Sequence, residues 1–538
     1  MAWITRVFRR GAGSRIHGPL RRPRSARSPL LADAIAGLSI ALVLIPQSLA
    51  FASLAGLPPH IGLFAAALPP IAASFFASSP YLQTGPVAVT SLLTAGALAG
   101  LAAPGSPEYI RLAALLALVV GLTRIVIGVL RLGRIVYLMS EPVLRGFTSA
   151  AALLIVVSQA PALFGLESRG GAVQATAGVL AAVRSWDLET IAISVVAFLV
   201  IAVSRRVHSL IPWALLVTGG GVVYSRVTGY GGVVVGDLPE GFLTLTLALP
   251  WRSIPSMIVP GLVIALIGFA EAASIARVFA ARQRQRWDPN RDFISQGVAN
   301  VTAAVSGGFP VGGSFSRSSL AWLLGGRTVR AGAIVGIATL AFMPFASVLS
   351  PLPVAVLGTM VITAVAGMVR IGPILSIWRL SKPQFLVAAS TLVFTIVLSP
   401  RIDQAVILGI LMAGAVHLWR EFDVKFPHWV EDGALHVRPV GVLWFGSAEM
   451  LKQEVLDLLA ERTDVRRLVL HMERLGRVDL TASLVLERLI EEVRDAGLET
   501  EVDSAHPVTA KALHRVLDRA GFPNDGSPDP KPPTGLSE

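Results

Sequence analysis

The chain has 538 residues, of which 53% are hydrophobic and 15% are charged, and its mean hydropathy is +0.67. This composition excludes a disordered or collagen-like chain, and the absence of cysteine excludes disulfide scaffolds, thiolate catalysis and Cys-ligated metal sites. The net charge of +12 does not indicate nucleic-acid binding, because the basic residues lie between long apolar runs and do not form the basic patch of a nucleic-acid-binding domain. Residues 1–419 hold 31 basic and 12 acidic residues, whereas residues 420–538 hold 15 basic and 22 acidic ones.

Residues 1–32 form a basic segment with 8 arginines and no acidic residue. The apolar stretch that follows is too long for a signal peptide and lacks the usual small-residue cleavage site. Positive charges beside spanning helices stay on the cytoplasmic side of a membrane. We therefore expect a cytoplasmic N-terminal arm over 1–32, a transmembrane domain over 33–419, and a C-terminal segment that is also cytoplasmic.

Apolar runs that are long enough to cross a bilayer as helices follow this arm. Hydropathy predicts eleven of them, at 34–55, 60–78, 109–130, 143–164, 188–204, 210–227, 257–279, 331–349, 353–369, 383–399 and 402–419. Three weaker or broken segments lie at 84–103, 293–306 and 313–325. Together these segments predict a polytopic α-helical membrane protein with fourteen spans.

Two of the weaker segments are interrupted by glycine and proline in the same manner. Gly85-Pro86 precedes one predicted helix, and a glycine-rich run ends at Ser314, which can cap the other. Such a pair in corresponding halves indicates the binding site of a transporter. Pro86 and Ser314 are 228 residues apart and Gln47 and Glu271 are 224 apart, so we predict a seven-plus-seven inverted repeat.

Two helix N-termini inside a membrane favour a small anion. Their unpaired N–H groups and partial positive charge attract negative charge. Arg317 lies three residues after Ser314 and adds a full charge, while Ser314 and Ser316 add hydroxyl donors. The alternative for Arg317 is an arginine at a helix end whose side chain reaches out to the membrane interface.

Glu271 lies within an apolar run, where a carboxylate is costly unless it is paired or functional. It can pair with Arg317, take up a proton or bind Na⁺, and we favour the proton as coupling ion. Gln47 can bind substrate or the backbone that Pro46 frees. Phe51, one turn after Gln47, can line the site or pack in the core.

The pattern changes after Trp419 to alternating strands and amphipathic helices. Strands are predicted at 435–445, 467–472 and 498–503, and helices at 448–462, 482–496 and 508–520. This βαβαβα order predicts a small α/β domain with a partly parallel sheet. The proline-rich tail 523–538 is predicted to be disordered.

Characteristic stretches lie at 33–38, 44–52 and 57–59 around the first span, at Thr84-Gly85-Pro86 before the third, at 128–150 between the fourth and fifth, and at 308–318 before the tenth. These stretches resemble the prestin-related SulP (sulfate permease) family of anion transporters. Residues 430–522 resemble a STAS domain, with 478–482 similar to its regulatory loop. Thr481 stands where soluble STAS proteins carry a phosphorylatable serine, and we do not expect its phosphorylation.

The resemblance implies core and gate domains, an elevator-like motion and a homodimer. It places the anion between the N-termini of the third and tenth spans. Carried over by position, the substrate-binding residues are Gln47, Phe51, Gly85, the backbone at Val87 and Ala88, Ser314, Ser316 and Arg317. Glu271 matches the acidic position that the family links to the coupling ion.

The leading hypothesis is a secondary-active, proton-coupled importer of sulfate, bicarbonate or a C4-dicarboxylate in the cytoplasmic membrane. A Na⁺-coupled symporter, an anion exchanger and a nucleobase permease are alternatives with the same fold. A channel or a membrane-anchored regulatory scaffold is an alternative of a different class. The expected partners are the anion, the lipid bilayer and a second copy of the chain. We expect no enzymatic activity, no metal or other cofactor besides the coupling ion, and no nucleic acid.

Overall fold

The computed structural model describes residues 28–166, 172–207, 213–238, 241–243, 245–422, 425–462 and 464–503. The chain divides into two compact units, Met1–Ala413 and Gly414–Glu538. The predicted arm lies outside the described residues except for 28–32, and the predicted helix 508–520 and tail 523–538 lie outside them entirely. The domain boundaries that we predict from the sequence, 33–419 and 430–522, therefore stay predictions.

The first unit contains two successive sets of elements. The first set is α1 (Pro29–Leu54), α2 (Ile61–Phe76), β1 (Gln83–Gly85), α3 (Ala88–Leu98), α4 (Pro107–Val129), α5 (Glu141–Ser158), α6 (Ala160–Phe164), α7 (Ala172–Ala181), α8 (Leu188–Val207) and α9 (Trp213–Thr228). The second set is α10 (Ile254–Gln283), α11 (Pro289–Val305), β2 (Gly312–Ser314), α12 (Phe315–Leu323), α13 (Arg330–Phe342), α14 (Val354–Val365), α15 (Ile371–Leu380), α16 (Lys382–Val397) and α17 (Ile402–Phe422), which ends in the second unit. Short 3-10 helices lie at Gly133–Leu138, Val183–Ser185, Trp251–Ser253, Met343–Leu349 and Ala366–Met368.

The two sets repeat one order of elements: two helices, a three-residue strand, a short helix and then longer helices. β1 pairs with β2 in antiparallel register, as expected for halves that run in opposite directions. In the described part of the chain, seven helical segments are long and apolar enough to cross a membrane, and α2, α3, α8 and α16 are shorter apolar helices. The predicted polytopic helical class is confirmed.

The broken spans predicted at 84–103 and 313–325 each become a strand followed by a half-length helix. α3 has 11 residues and α12 has 9. At about 1.5 Å per residue, each covers about half of a hydrocarbon core that is about 30 Å thick. The glycines and proline before each helix keep the backbone extended, so the rest of each crossing is made by irregular chain.

Glycines at the crossing of α4 with α11 allow the two backbones to touch. A Cβ built on Gly121 would lie 2.7 Å from the Val301 nitrogen and 2.8 Å from the Gly297 oxygen. In the equivalent pair of the repeat, α13 and α2, a Cβ on Gly336 would lie 2.3 Å from the Ala67 oxygen. Small residues permit such close packing between membrane helices, where apolar surface alone does not drive association.

The second unit is a small α/β domain. Its elements after α17 are β3 (His428–Glu431), β4 (Ala434–Val437), β5 (Gly441–Leu443), α18 (Phe445–Glu461), β6 (Arg467–His471), β7 (Leu475–Val478), α19 (Leu480–Asp495) and β8 (Glu499–Asp503). The main sheet has the order β3-β4-β6-β8, in which β3 is antiparallel and the others are parallel, and β5 pairs with β7. Asp479 caps α19 by accepting a hydrogen bond from Ala482 N at 2.7 Å. The predicted partly parallel sheet is confirmed.

The prediction of a single strand over 435–445 is wrong, because the chain forms β4 and β5 on either side of Pro439. Proline has no N–H group with which to continue a ladder. The preceding strand β3 was not predicted. It is joined to β4 by Asp432-Gly433, where both residues have positive φ, as a two-residue hairpin turn requires.

We expect Gly121→Ala to destabilise the first unit. Alanine ordinarily forms helices better than glycine by about 1 kcal/mol, but here its methyl group would overlap the α11 backbone, and overpacking costs about 1–3 kcal/mol. Gly219→Ala in α9 is the matched control, because no atom of the described part of the chain lies within 4 Å of its Cβ position. Thermal unfolding in detergent should show a lower Tm for Gly121→Ala alone, and an unchanged or higher Tm would contradict the close approach.

Candidate anion-binding site

β1 and β2 form a buried two-stranded sheet that brings the two halves of the first unit together. Its register pairs Gln83 with Ser314, Thr84 with Gly313 and Gly85 with Gly312. The pairing gives hydrogen-bond partners to backbone groups that have no water to bind at membrane depth. Two residues separate β1 from the short helix α3, and β2 leads directly into the short helix α12.

Polar side chains from neighbouring helices brace the strands. Ser318 Oγ accepts a hydrogen bond from Gln83 N at 3.0 Å. Gln296 Nε2 donates to Thr84 Oγ1 at 2.6 Å. These side chains are buried, so their bonds fix the position of β1 relative to α11 and α12.

The start of α3 has no side-chain cap within the described residues. Its N-cap residue is Val87, which has an extended backbone and an apolar side chain that cannot accept a hydrogen bond. Val87 is 6% exposed and Ala88 is 7% exposed. The first N–H groups of a helix carry partial positive charge, and a bound anion is a suitable partner for them in this setting.

Arg317 connects the starts of the two short helices. It lies in the first turn of α12, where Ser314 Oγ caps the helix by accepting from Arg317 N at 3.4 Å. The side chain is 1% exposed and its Nη2 donates to the Pro86 carbonyl oxygen at 3.0 Å. The Nε of Arg317 is buried with no hydrogen-bond partner among the described residues. The alternative of a side chain that reaches the membrane interface is therefore wrong.

Glu271 lies beside β2 with a partly exposed side chain. Gly313 packs on its helix, α10, where an added Cβ would lie 3.2 Å from the Ala272 Cα. Within the described residues the carboxylate accepts no hydrogen bond and has no ion-pair partner within 4.0 Å. Arg317 is near enough for the two charges to interact, but the predicted alternative of a bonded Glu271–Arg317 pair is not observed among the described residues.

The other predicted site residues differ in burial and in hydrogen bonding. Gln47 is partly buried on α1, and its amide makes no hydrogen bond within the described part of the chain. Ser316 is exposed on α12, with its Oγ 3.2 Å from the Ser314 Oγ. Phe51 is 5% exposed and belongs to the main hydrophobic cluster of the unit, so its observed contacts are packing contacts.

Arg124, a buried arginine in α4, was not predicted as a site residue. Its guanidinium donates to three main-chain carbonyl oxygens: from Nε to Ala265 at 3.1 Å, from Nη1 to Val311 at 3.0 Å and from Nη2 to Ile264 at 3.1 Å. The signal was present in the sequence, because a charged residue within an apolar span is as unusual as Glu271.

Asn300 was also missed. Its Oδ1 accepts from Val311 N at 3.0 Å and its Nδ2 donates to Val311 O at 3.1 Å. The side-chain amide of Asn300 therefore binds both the N–H group and the carbonyl group of Val311, the residue directly before β2. No sequence signal could have found it, because one asparagine on a helix is ordinarily unremarkable.

Comparison with known proteins identifies the family. Residues 30–391 match the sulfate permease family and residues 429–524 match the STAS domain. The chain belongs to the sulfate permease family. A probable sulfate transporter of Mycobacterium tuberculosis is 30% identical over 500 residues, which cover 87% of this chain and 88% of that protein. Human solute carrier family 26 member 6 is 30% identical over 435 residues, covering 75% of this chain and 56% of that protein.

Two solved structures show the same fold. Murine Slc26a9 in an inward-facing state aligns with a TM-score of 0.85 at 20% identity, covering 91% of this chain and 88% of that chain. The transmembrane domain of the cyanobacterial bicarbonate transporter BicA aligns with a TM-score of 0.62 at 22% identity, covering 71% and 97%. The predictions of a sulfate-permease-type anion transporter with a C-terminal STAS domain, and not an enzyme, are confirmed by the family.

We expect Gly85→Ala to weaken anion binding. Gly85 has a φ of +152°, which residues with a side chain rarely adopt, and an added Cβ would lie 3.3 Å from Arg317 Nη2, so the guanidinium would have to shift by a few tenths of an ångström. Gly100→Ala is the matched control, because Gly100 also has a positive φ, +80°, but open space around it. We expect sulfate to raise the Tm of the wild type and of Gly100→Ala, and to raise the Tm of Gly85→Ala by less. An equal sulfate response in both variants would contradict this role for the contact.

Proposed function

We propose that the protein is a secondary-active importer of a small oxyanion, with sulfate, bicarbonate and C4-dicarboxylates as candidates and a proton as coupling ion. The observation that carries the proposal is Arg317, a buried cation whose Nε has no partner among the described residues and whose Nη2 reaches the start of the other half-helix. A charge in such surroundings is costly, and a bound anion supplies the missing partner.

Hydrogen-bond donors dominate the site. Arg317, Ser314, Ser316 and the first N–H groups of α3 can all donate to the oxygens of an oxyanion, most of which are acceptors. A nucleobase presents ring N–H groups as well, so the nucleobase alternative depends on Gln47 and Glu271 as acceptors. Sulfate is the first candidate, because the mycobacterial relative is described as a probable sulfate transporter.

Glu271 is the proposed site of the coupling proton. Its carboxylate is free of hydrogen bonds and ion pairs within the described residues and lies next to β2. One free carboxyl group can carry one proton beside the anion without further ligands. The Na⁺ alternative would need several oxygen ligands around the same carboxylate, as hard cations do.

The proposal includes a homodimer in the cytoplasmic membrane that works by an elevator-like motion, with its C-terminal domain in the cytoplasm. Orientation is supported by the basic segment 1–32 and by the arginine-rich stretch 277–291, both of which the positive-inside rule assigns to the cytoplasm. An exchanger would use the same site without a proton. A channel or a scaffold would show no saturable, gradient-coupled flux.

We expect Arg317→Gln to raise the KM for sulfate uptake into proteoliposomes by about 10–100-fold, since charge-assisted hydrogen bonds contribute about 1.5–3 kcal/mol each. Arg111→Gln is the matched control, because Arg111 is exposed on α4 and donates to its own helix at Pro107 O. Its KM should equal that of the wild type. Uptake of uracil in place of sulfate, or an unchanged KM in Arg317→Gln, would refute an oxyanion site at this arginine.

We expect Glu271→Gln to abolish the sulfate uptake that an inward proton gradient drives, while sulfate exchange across the membrane persists. Glutamine keeps the size of the side chain but cannot carry the proton. Glu108→Gln is the control, because Glu108 is exposed in the first turn of α4. The measurement is radiolabelled sulfate uptake with and without a pH gradient, and gradient-driven uptake at the wild-type level in Glu271→Gln would refute the coupling role.

A further inference from the structure

Arg124 is a second buried cation of the first unit, and the proposed function does not use it. It is 0% exposed, and within the described ranges its guanidinium donates to main-chain carbonyl oxygens alone. No carboxylate of the described residues lies within 4.0 Å of it. A charge buried without a counter-charge is costly even when carbonyl groups accept its hydrogen bonds, so stability alone is a weak reason for an arginine here. This points to a role for the positive charge of Arg124.

The bonds of Arg124 place it directly behind the anion site. Val311, which accepts from Nη1, is the residue before β2, so the bond holds the strand that leads to Ser314 and Arg317. The other two acceptors, at 264 and 265, lie on α10, the helix that carries Glu271. One guanidinium therefore ties together the two segments that carry the other charges of the site.

Gly268 lies between Arg124 and the start of α3, close to both. A Cβ built on Gly268 would lie 2.6 Å from Arg124 Nη2 and 3.2 Å from the Thr90 Cγ2. Thr90 lies in the first turn of α3, whose first N–H groups are the proposed donors to the anion. Because Arg124 and Thr90 are both fully buried, water screens the field of Arg124 less across this distance than it would at the surface.

We propose that Arg124 is a second cationic determinant of the anion site and that its charge sets a preference for divalent over monovalent anions. The inference rests on the proposed function and names the substrate class of the same site. Arg124 and Arg317 each carry one positive charge, and Glu271 carries one negative charge when it is ionised. With a proton on Glu271, two positive charges remain, and a dianion such as sulfate neutralises both.

Coulomb energy is proportional to the charge of the anion, and this gives the inference a specific signature. Removal of the Arg124 charge costs a dianion twice the free energy that it costs a monoanion. The fold loss of affinity for sulfate is therefore the square of the fold loss for nitrate. An arginine that merely held the backbone in place would weaken both anions by a similar factor.

The test compares sulfate with nitrate in neutral and charged variants of Arg124. Arg124→Gln and Arg124→Met remove the charge, and either one that folds suffices. Arg124→Lys keeps the charge, but the lysine ammonium lacks the planar fork of a guanidinium and cannot bind the same three carbonyl groups. Dissociation constants are obtained from the anion-dependent rise in Tm at one ionic strength. A neutral variant that binds nitrate about threefold more weakly should bind sulfate about tenfold more weakly, whereas Arg124→Lys should keep the wild-type ratio at a lower Tm.

The outcomes separate this inference from the proposed function. A sulfate-to-nitrate affinity ratio in the neutral variants equal to that of the wild type would overturn the inference and leave the anion site intact. A ratio that falls equally in Arg124→Lys would also overturn it, because the geometry of the bonds would then be the cause. If the wild type bound neither anion, both the proposed function and the inference would fail.

Discussion

The antiparallel pairing of β1 with β2 is the constraint on which the rest of the first unit depends. Non-helical backbone at membrane depth must find its hydrogen-bond partners within the protein. Here each strand finds them in the other half of the chain, so the register of the pair positions the two short helices relative to each other. Four side chains from outside the strands complete the arrangement: Arg124, Gln296, Asn300 and Ser318.

The charged side chains at the candidate site have no bonded counter-charge among the described residues. Arg317 and Arg124 are both buried and donate to carbonyl oxygens, which lower the cost of burial but carry no counter-charge. The carboxylate of Glu271, on the helix that packs on β2, is left unbonded within the described residues. A site of this kind lacks counter-charges when it is empty, and the proposed anion and coupling proton would supply them.

Much of this architecture could be predicted from the sequence. Apolar length located most of the spanning helices, and the glycine–proline interruptions located both half-helices, because each signal is local. Ser314 was predicted as a cap and Arg317 as the buried cation, and the structure shows both. The pairing of β1 with β2 was not predicted, since three residues are too few for a periodic pattern. The split of 435–445 was missed although Pro439 marked it.

The sequence by itself determined the class of the protein, its repeated order of elements, and the residue types available to an anion. The tertiary structure alone decided which of those residues meet. Pro86 and Arg317 are distant in the chain, and their 3.0 Å contact depends on the strand register. The same holds for Arg124, whose acceptors lie on α10 and before β2. A residue's type fixes what it can bind, whereas its partners depend on packing between segments that no local pattern encodes.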